Sequence, residues 1–365
     1  MRKLGKQEIE DIAVGAALLG TGGGGDPYIG KLMTLQAIEE FGEITLLDVD
    51  EVPDDAVIVP SAMMGAPTVM LEKAPSGEEA TAAFKNLESY LGKEIFATMP
   101  IEAGGLNSML PLALAAKLGL PVVDVDGMGR AFPELQMVTF YLDGVSATPM
   151  VLADEKGNTS LLSTINNVWT ERIARAATIE MGGSAMIAIY PMTGKNIKES
   201  GISGILTLEE QIGRSIRLAK QNNVDPIKEV LSQANGFELF RGKVSDINRK
   251  TETGFARGVA TFEGINEYKG ETLEVRFQNE HLLAQTTDQR LLCVTPDLIA
   301  VLDMETGLPI TTEGIRYGAR CVIIGMPCHP KWRTEKGIET VGPKYFGYDV
   351  EYVPVEELAK KGVNV

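Results

Sequence analysis

EIFATMPIEAGGLNSMLPLALAAKLGLPVVDVDGMG, residues 94–129, decides the fold. Its first seven residues form a short apolar run that suits a strand. GGLNSMLPLALAAKLG, opening at Gly104, suits a helix, and PVVDVDGMG is a second buried strand ending in a turn. A helix between two apolar strands at this spacing is a crossover unit, so the two strands run parallel in one sheet.

The same alternation extends upstream. AVIVPSAMMGAP reads as a buried strand from Ala56 running into a loop at Ser61–Pro67, with a helix following near residues 78–91. EITLLDV is another short strand, preceded by helices over 28–41 and 6–19; in the latter Ile9, Ile12, Ala13, Ala16 and Leu19 fall near helical spacing. Downstream the text loosens after Met137. VWTERIARAATIEMGG, LTLEEQIGRSIRLAKQ and DPIKEVLSQ read as helices and SAMIAIYP as a strand. From Phe237 to Met326 short apolar or alternating runs between turn residues predict a β-rich region. The expected architecture is therefore α/β. A layered N-terminal domain with a mostly parallel sheet (1–165) is joined to a barrel- or sandwich-like β-rich domain (166–365) with two or three helices. The C-terminal YFGYDVEYVPV is expected to return to the first domain.

Composition narrows the function classes. Hydrophobic residues make up 44% of 365, ample for packed interiors and too much for a disordered chain. A net charge of −16 without clustered Lys and Arg disfavours nucleic acid as a partner. The basic tip of MRKLGKQEIEDIAVGAALLG resembles a secretion signal, but Glu8, Glu10 and Asp11 interrupt it. No stretch reaches the ~20 apolar residues of a membrane span. Three cysteines without paired spacing, Cys293, Cys321 and Cys328, suit reduced thiols, and a cytoplasmic location is expected.

Polar chemistry converges on one predicted sheet edge. In open α/β sheets ligands bind outside the carboxyl ends of the strands, which gathers the segments Ser61–Gly65, Glu102–Asn107 and Asp124–Glu134. Gly104 and Gly105 open a helix and leave its first N–H groups able to face an anion or oxyanion. Asp124 and Asp126 share one face if their strand is regular. Two close carboxylates can divide into acid and base or jointly hold a divalent cation; the identity of any metal stays open. Arg130 and Glu134 add an electrophile and another acid. The alternative for the aspartates is structural, with Asp126-Gly127 a turn and Asp124 a cap.

GTGGGGDP, residues 20–27, follows a helix and lacks the Gly-Lys-Ser/Thr ending of a phosphate-binding loop. Glycine tolerates positive φ, so a helix cap with a chain reversal explains part of it. Four successive glycines also fit a loop pressed against a ligand, with Gly23, Gly24 and Asp26 shaping the site. In TLEVRFQNEH, alternation places Asn279 and His281 at the end of one apolar face unless a bulge intervenes. His281 and His329 are the only histidines and form no zinc pattern. Cys328 beside His329 suits no relayed nucleophile.

GTGGGGDP, EAGGLNS, VDVDGMGRAFPE, FQNEHL and VGPKYFGYDVEYVP together resemble, in order from about Leu18 to Pro354, the S-methyl-thiohydantoin desulfurase family, related to hydantoinases and oxoprolinases. The resemblance implies an N-terminal α/β domain with a C-terminal β-rich one. It also implies sulfur removal from a methylated thiohydantoin or action on a related hydantoin, and a link to hydantoinase-type partner proteins. It carries no residue roles. The chemistry expected is hydrolytic, on a small cyclic amide or thioamide. Asp126 is the base, partnered by Asp124 or Glu102. Gly104–Gly105 N–H groups or Arg130 meet the negative charge, with Asn107 and Asn279 near the ring. A homo-oligomer fits equally. The rival reading is a non-catalytic small-molecule- or nucleotide-binding subunit of a hydantoinase or oxoprolinase.

Overall fold

The computed structural model describes every residue except 26, 66–68, 70–72, 74–75, 253 and 363–365. The first sheet is assembled from β1 (Arg2–Leu4), β2 (Ile44–Leu47), β3 (Val57–Gly65), β4 (Ala97–Pro100) and β5 (Val122–Val123). Beyond β6 (Val125–Asp126) the chain adds β7 (Met150–Ala153), β8 (Thr159–Leu162), β9 (Ser184–Ala188) and β10 (Met192–Thr193). Their order is β1-β2-β5-β4-β3-β9-β7-β8, with β10 also against β3. The central strands β2, β5, β4 and β3 are parallel, as crossover helices require, and antiparallel strands extend the sheet on both sides.

Two local expectations need correcting. Ser61–Gly65 is no loop, because β3 runs unbroken from Val57 to Gly65. Ile58–Ser61 pairs in parallel with Ala97–Pro100, and Ser61–Gly65 pairs antiparallel with Ser184–Ala188. That second partner lies over a hundred residues downstream. The sheet therefore crosses the division expected at residue 165. Residues 66 and 67, the end of that expected loop, lie outside the described residues. The helix expected to open at Gly104 begins at Met109 and ends at Leu118. Residues 104–108 are held in turns instead, since the carbonyl of Gly24 takes the N–H groups of Leu106 and Asn107 at 2.9 and 3.3 Å.

PVVDVDGMG also divides. β5 belongs to the large sheet, whereas β6 leaves it to pair with β11 (Ile202–Ser203). The C-terminal half forms a seven-stranded antiparallel sheet: β12 (Phe237–Glu252), β13 (Phe255–Gly264), β14 (Thr272–Gln278), β15 (Glu280–Thr286), β16 (Leu291–Val294), β17 (Leu298–Asp303) and β18 (Arg320–Met326). Its order is β16-β15-β14-β13-β12-β18-β17, and β15 and β16 also approach β17, so the sheet curls as a half-barrel. Phe240, Phe262, Val275 and Ile323 fill the curl. Among the described residues no helix is long and apolar enough to cross a membrane.

The halves share one core: Ile12, Leu46, Ile58 and Met99 of the first belong to the same apolar cluster as Ala300, Ile324 and Trp332 of the second. The C-terminal segment serves both halves. Tyr345 donates its hydroxyl to Glu134, whereas Val355 is buried in the curled sheet's own cluster.

Candidate functional site

The carboxyl ends of β3 and β4, the segment 132–135 and the β14–β15 turn line a small cleft between the two halves. Glu102 enters it directly after β4. Burial drives its carboxyl up to about 7, against the opposing pull of the Asn107 and Phe132 hydrogen bonds and the Arg130 charge. Asn107 holds this carboxylate through Nδ2 at 2.6 Å, while its own Oδ1 accepts from the N–H of Met63 at 2.8 Å. The amide thus fixes Glu102 to the β3 backbone.

Facing Glu102 across the cleft wall is Glu280, a residue given no role in the sequence reading. TLEVRFQNEH is two strands and a tight turn rather than one strand. Asn279 sits at the turn with φ of 60° and binds Ala256 on β13 through both its N–H and its Oδ1. Phe277 pairs with His281 and Gln278 with Glu280. Asn279 and His281 are therefore on different elements. An Asn that tolerates the left-handed region between two apolar runs was the signal for this hairpin. Glu280 is 2% exposed. Burial first, and then the charge of Glu102, hold its carboxyl well above the usual range. Its Oε2 has no hydrogen-bond partner among the described residues.

The glycine run shapes this corner by close approach. A Cβ on Gly23 would stand 2.0 Å from Oε1 of Glu280, and one on Gly24 2.4 Å from Cα of Gly104. Gly23 itself has no positive φ; Thr21, Gly22, Gly24 and Gly25 do. Gly105 is pressed on the carbonyl of Gly25 in the same way. The N–H groups expected to be open at the helix start are partly taken, that of Gly104 by Ser108 Oγ and those of Leu106 and Asn107 by Gly24. Asp26 lies outside the described residues.

The remaining expected site residues do other work. Asp124 interrupts the strand and accepts from Leu206 N, Thr207 N and Thr207 Oγ1, capping the helix Ile205–Asn222. Asp126 turns back on its own chain, accepting from Met128 and Gly129 N–H. The two side chains therefore do not share a face, and neither lines the cleft. Behind Asp126 a further buried acid, Glu209, accepts from Ser108 at 2.7 Å. Arg130 is fully buried and is no free electrophile. Its five N–H groups go to the carbonyls of Ala131, Pro296, Asp297 and His281 and to Thr21 Oγ1, which exhausts the donors of a guanidinium. Phe132 lies between Arg130, 4.5 Å from its ring centroid, and the buried Trp332. Glu134 lines the cleft but accepts from Gln136 and Tyr345. Arg175, also unforeseen, lines it from the helix Asn167–Glu180. No group of three or more His, Cys, Asp or Glu among the described residues is arranged to hold a metal ion.

Two family models match in tandem: S-Me-THD-like, N-terminal domain, over residues 7–164, and S-Me-THD-like, C-terminal domain, over residues 165–355. A crystal structure of a protein from Chromobacterium violaceum, a structural-genomics target, has the same fold. It superposes with a TM-score of 0.79 at 24% identity, covering 97% of this chain and 100% of its own. Among curated proteins none matches.

Proposed function

This chain belongs to the S-Me-THD-like family, and on that premise we propose that it is an enzyme that hydrolyses the carbon–sulfur bond of an S-methyl-thiohydantoin. The observation that carries the reading is the pair Glu102 and Glu280. They come from opposite halves, are both buried, and line the same cleft. Their environments set their protonation apart. Burial raises both carboxyls, that of Glu102 to about 7 and that of Glu280 well above the usual range, which makes Glu102 the base and Glu280 the proton donor in this reading.

Glu102 takes a proton from water as the oxygen adds to the ring carbon bearing the S-methyl group. Glu280 gives its proton to the adjacent ring nitrogen. The resulting tetrahedral carbon carries OH, SCH₃ and the protonated nitrogen. Its carbon–sulfur bond breaks, the leaving sulfur takes the proton from Glu102, and the hydroxyl proton returns to Glu280. The products are methanethiol and a hydantoin carbonyl, with both carboxyl groups restored. Asn279, Gly24 and Gly25 line the cleft, and the Asn279 side-chain amide and the two backbone N–H groups would meet the ring oxygen and developing charge. A hydantoinase-type ring-opening enzyme is the reaction class that would consume the product.

Purified protein incubated with an S-methyl-thiohydantoin should release thiol, with kcat/KM rising through about pH 7 as Glu102 ionises. Absence of thiol release across the neutral range would remove the reading and favour a binding subunit.

A further inference from the structure

The lining of the cleft divides by chemistry. Ala62 on β3 stands opposite Ile187 on β9, and directly opposed residues of an antiparallel pair point to one face of the sheet. Met64, two residues beyond Ala62, shares that face. Ile101, Met128 and Phe132 belong with these three to one apolar cluster, and all six line the cleft. None of them is more than 4% exposed. Glu102, Glu280, Asn107 and Asn279 supply polar lining. The two parts meet at Glu102, which follows Ile101 in the chain and accepts from the N–H of Phe132 at 3.2 Å.

Within the apolar wall, Phe132 is fixed between the Arg130 guanidinium and Trp332, whose ring meets it edge-on at 5.2 Å between centroids. Met64 and Met128 are the adaptable members, since an unbranched thioether fills irregular space and changes rotamer readily. The backbone of Met128 is held on both sides, its N–H by Asp126 and its carbonyl by Nε1 of Trp332, so its side chain is the part that can yield. The six wall side chains carry no hydrogen-bond donor. A ring carbonyl or N–H set against them would lose its partners, whereas an alkyl group would lose none.

We propose that this wall seats the alkyl group on the substrate sulfur, and that Met64 and Met128 set the length of chain that fits. The inference rests on the desulfurase reading and narrows its substrate class to thiohydantoins with a small alkyl group on sulfur. Seated in this way, the ring keeps its N–H and carbonyl groups toward Glu280 and Asn279, and the sulfur meets Glu102 at the junction of the two parts. A methyl group taken from water by such a wall strengthens binding about four-fold, the equivalent of about 0.8 kcal/mol. The cleft is small, so a longer chain has to displace a methionine side chain, and overpacking of that kind weakens binding ~10-fold.

Calorimetric titration of the full chain at about pH 5, where the base is protonated and turnover slow, reads the seat without catalysis. An S-methyl-thiohydantoin should bind about four-fold more tightly than the unalkylated thiohydantoin. The S-butyl ring should bind ~10-fold more weakly than the S-methyl one. In Met64→Ala and in Met128→Ala, which lie on separate segments, the S-butyl ring should bind at least as tightly as the S-methyl ring. Met186→Ala, an equal deletion on the opposite face of β9, should keep the wild-type order. If one alanine variant at the wall fails to fold, the other and the wild-type series still decide. A wild type indifferent to chain length overturns the seat. So do folded wall variants that keep the wild-type order, or an inversion in Met186→Ala. Thiol release near neutral pH is measured separately: release without discrimination removes the seat alone, and discrimination without release removes the desulfurase reading.

Discussion

Asp124 and Asp126 lie two residues apart on one segment; Asp124 accepts through Oδ1 from N–H groups that begin a helix, and Asp126 accepts through Oδ2 from those that close a turn. Glu102 and Glu280 are far apart in sequence, come from different halves of the molecule, and meet at a cleft. All four are buried acids whose pKa burial raises. What separates the pairs is geometry. The aspartates accept chiefly from backbone N–H groups at a helix start and a turn, and neither lines the cleft. Glu102 and Glu280, brought together by tertiary packing, line the cleft, and Oε2 of Glu280 has no hydrogen-bond partner among the described residues.

The sharpest way to break this comparison is to neutralise the cleft pair. Glu280→Gln should lower kcat by ~10³-fold and Glu102→Gln by ~10²-fold, within the range of general acid–base catalysis. Melting temperatures should stay near wild type. Thiol release and thermal melts together measure this, and near-normal turnover in Glu280→Gln would return the role to the aspartates. The opposite pattern is expected for Asp124→Ala: a loss of about 2 kcal/mol in denaturant unfolding, from a lost helix cap, with kcat nearly unchanged.

A smaller effect sharpens the electrostatics. The folded pKa of Glu102, about 7, lies above its ordinary value of 4.5. Its contribution is therefore full below pH 4.5 and is lost as pH rises through 7. Relative to Glu102→Gln, which does not titrate, the wild type should lose about 1 kcal/mol between pH 6 and 8. A constant difference in unfolding free energy across that interval would place the carboxyl in an ordinary environment. Smallest of all, ATP with Mg²⁺ should leave the melting temperature unmoved, because Gly23 abuts the Glu280 carboxyl. An S-methyl-thiohydantoin should raise it by mass action.

The parallel centre of the first sheet was legible because strand, helix and strand each carry their own apolar period within residues 94–129. The strand-rich stretch after Phe237 was legible for the same reason. What escaped the sequence depended on distant partners. Ser61–Gly65 looks like a loop until β9 arrives to pair with it. The turns at 104–108 look like the start of a helix until Gly24 takes the N–H groups of Leu106 and Asn107. Glu102 was recognised as acidic chemistry at a sheet edge. Glu280 escapes a sequence reading because TLEVRFQNEH, without its turn at Asn279, continues as one strand and puts Glu280 on the polar face. Nothing local predicts the burial of Arg130, because three of its five acceptors lie 151 to 167 residues further along.

That separation has a consequence for how the protein is born. At translation speeds of roughly 5–20 residues per second, the carbonyls of His281, Pro296 and Asp297 that receive the Arg130 guanidinium emerge from the ribosome some ten to thirty seconds after Arg130 itself. Until then the nascent N-terminal half holds a cation destined for burial with only Ala131 and Thr21 of its five acceptors, and a glycine loop with neither Thr312 nor His281 to fasten it. The early chain can assemble its parallel strands, yet its cleft has only one wall. Maturation of the site is thus timed by the arrival of the second half, and a truncated chain should be born without a working pocket.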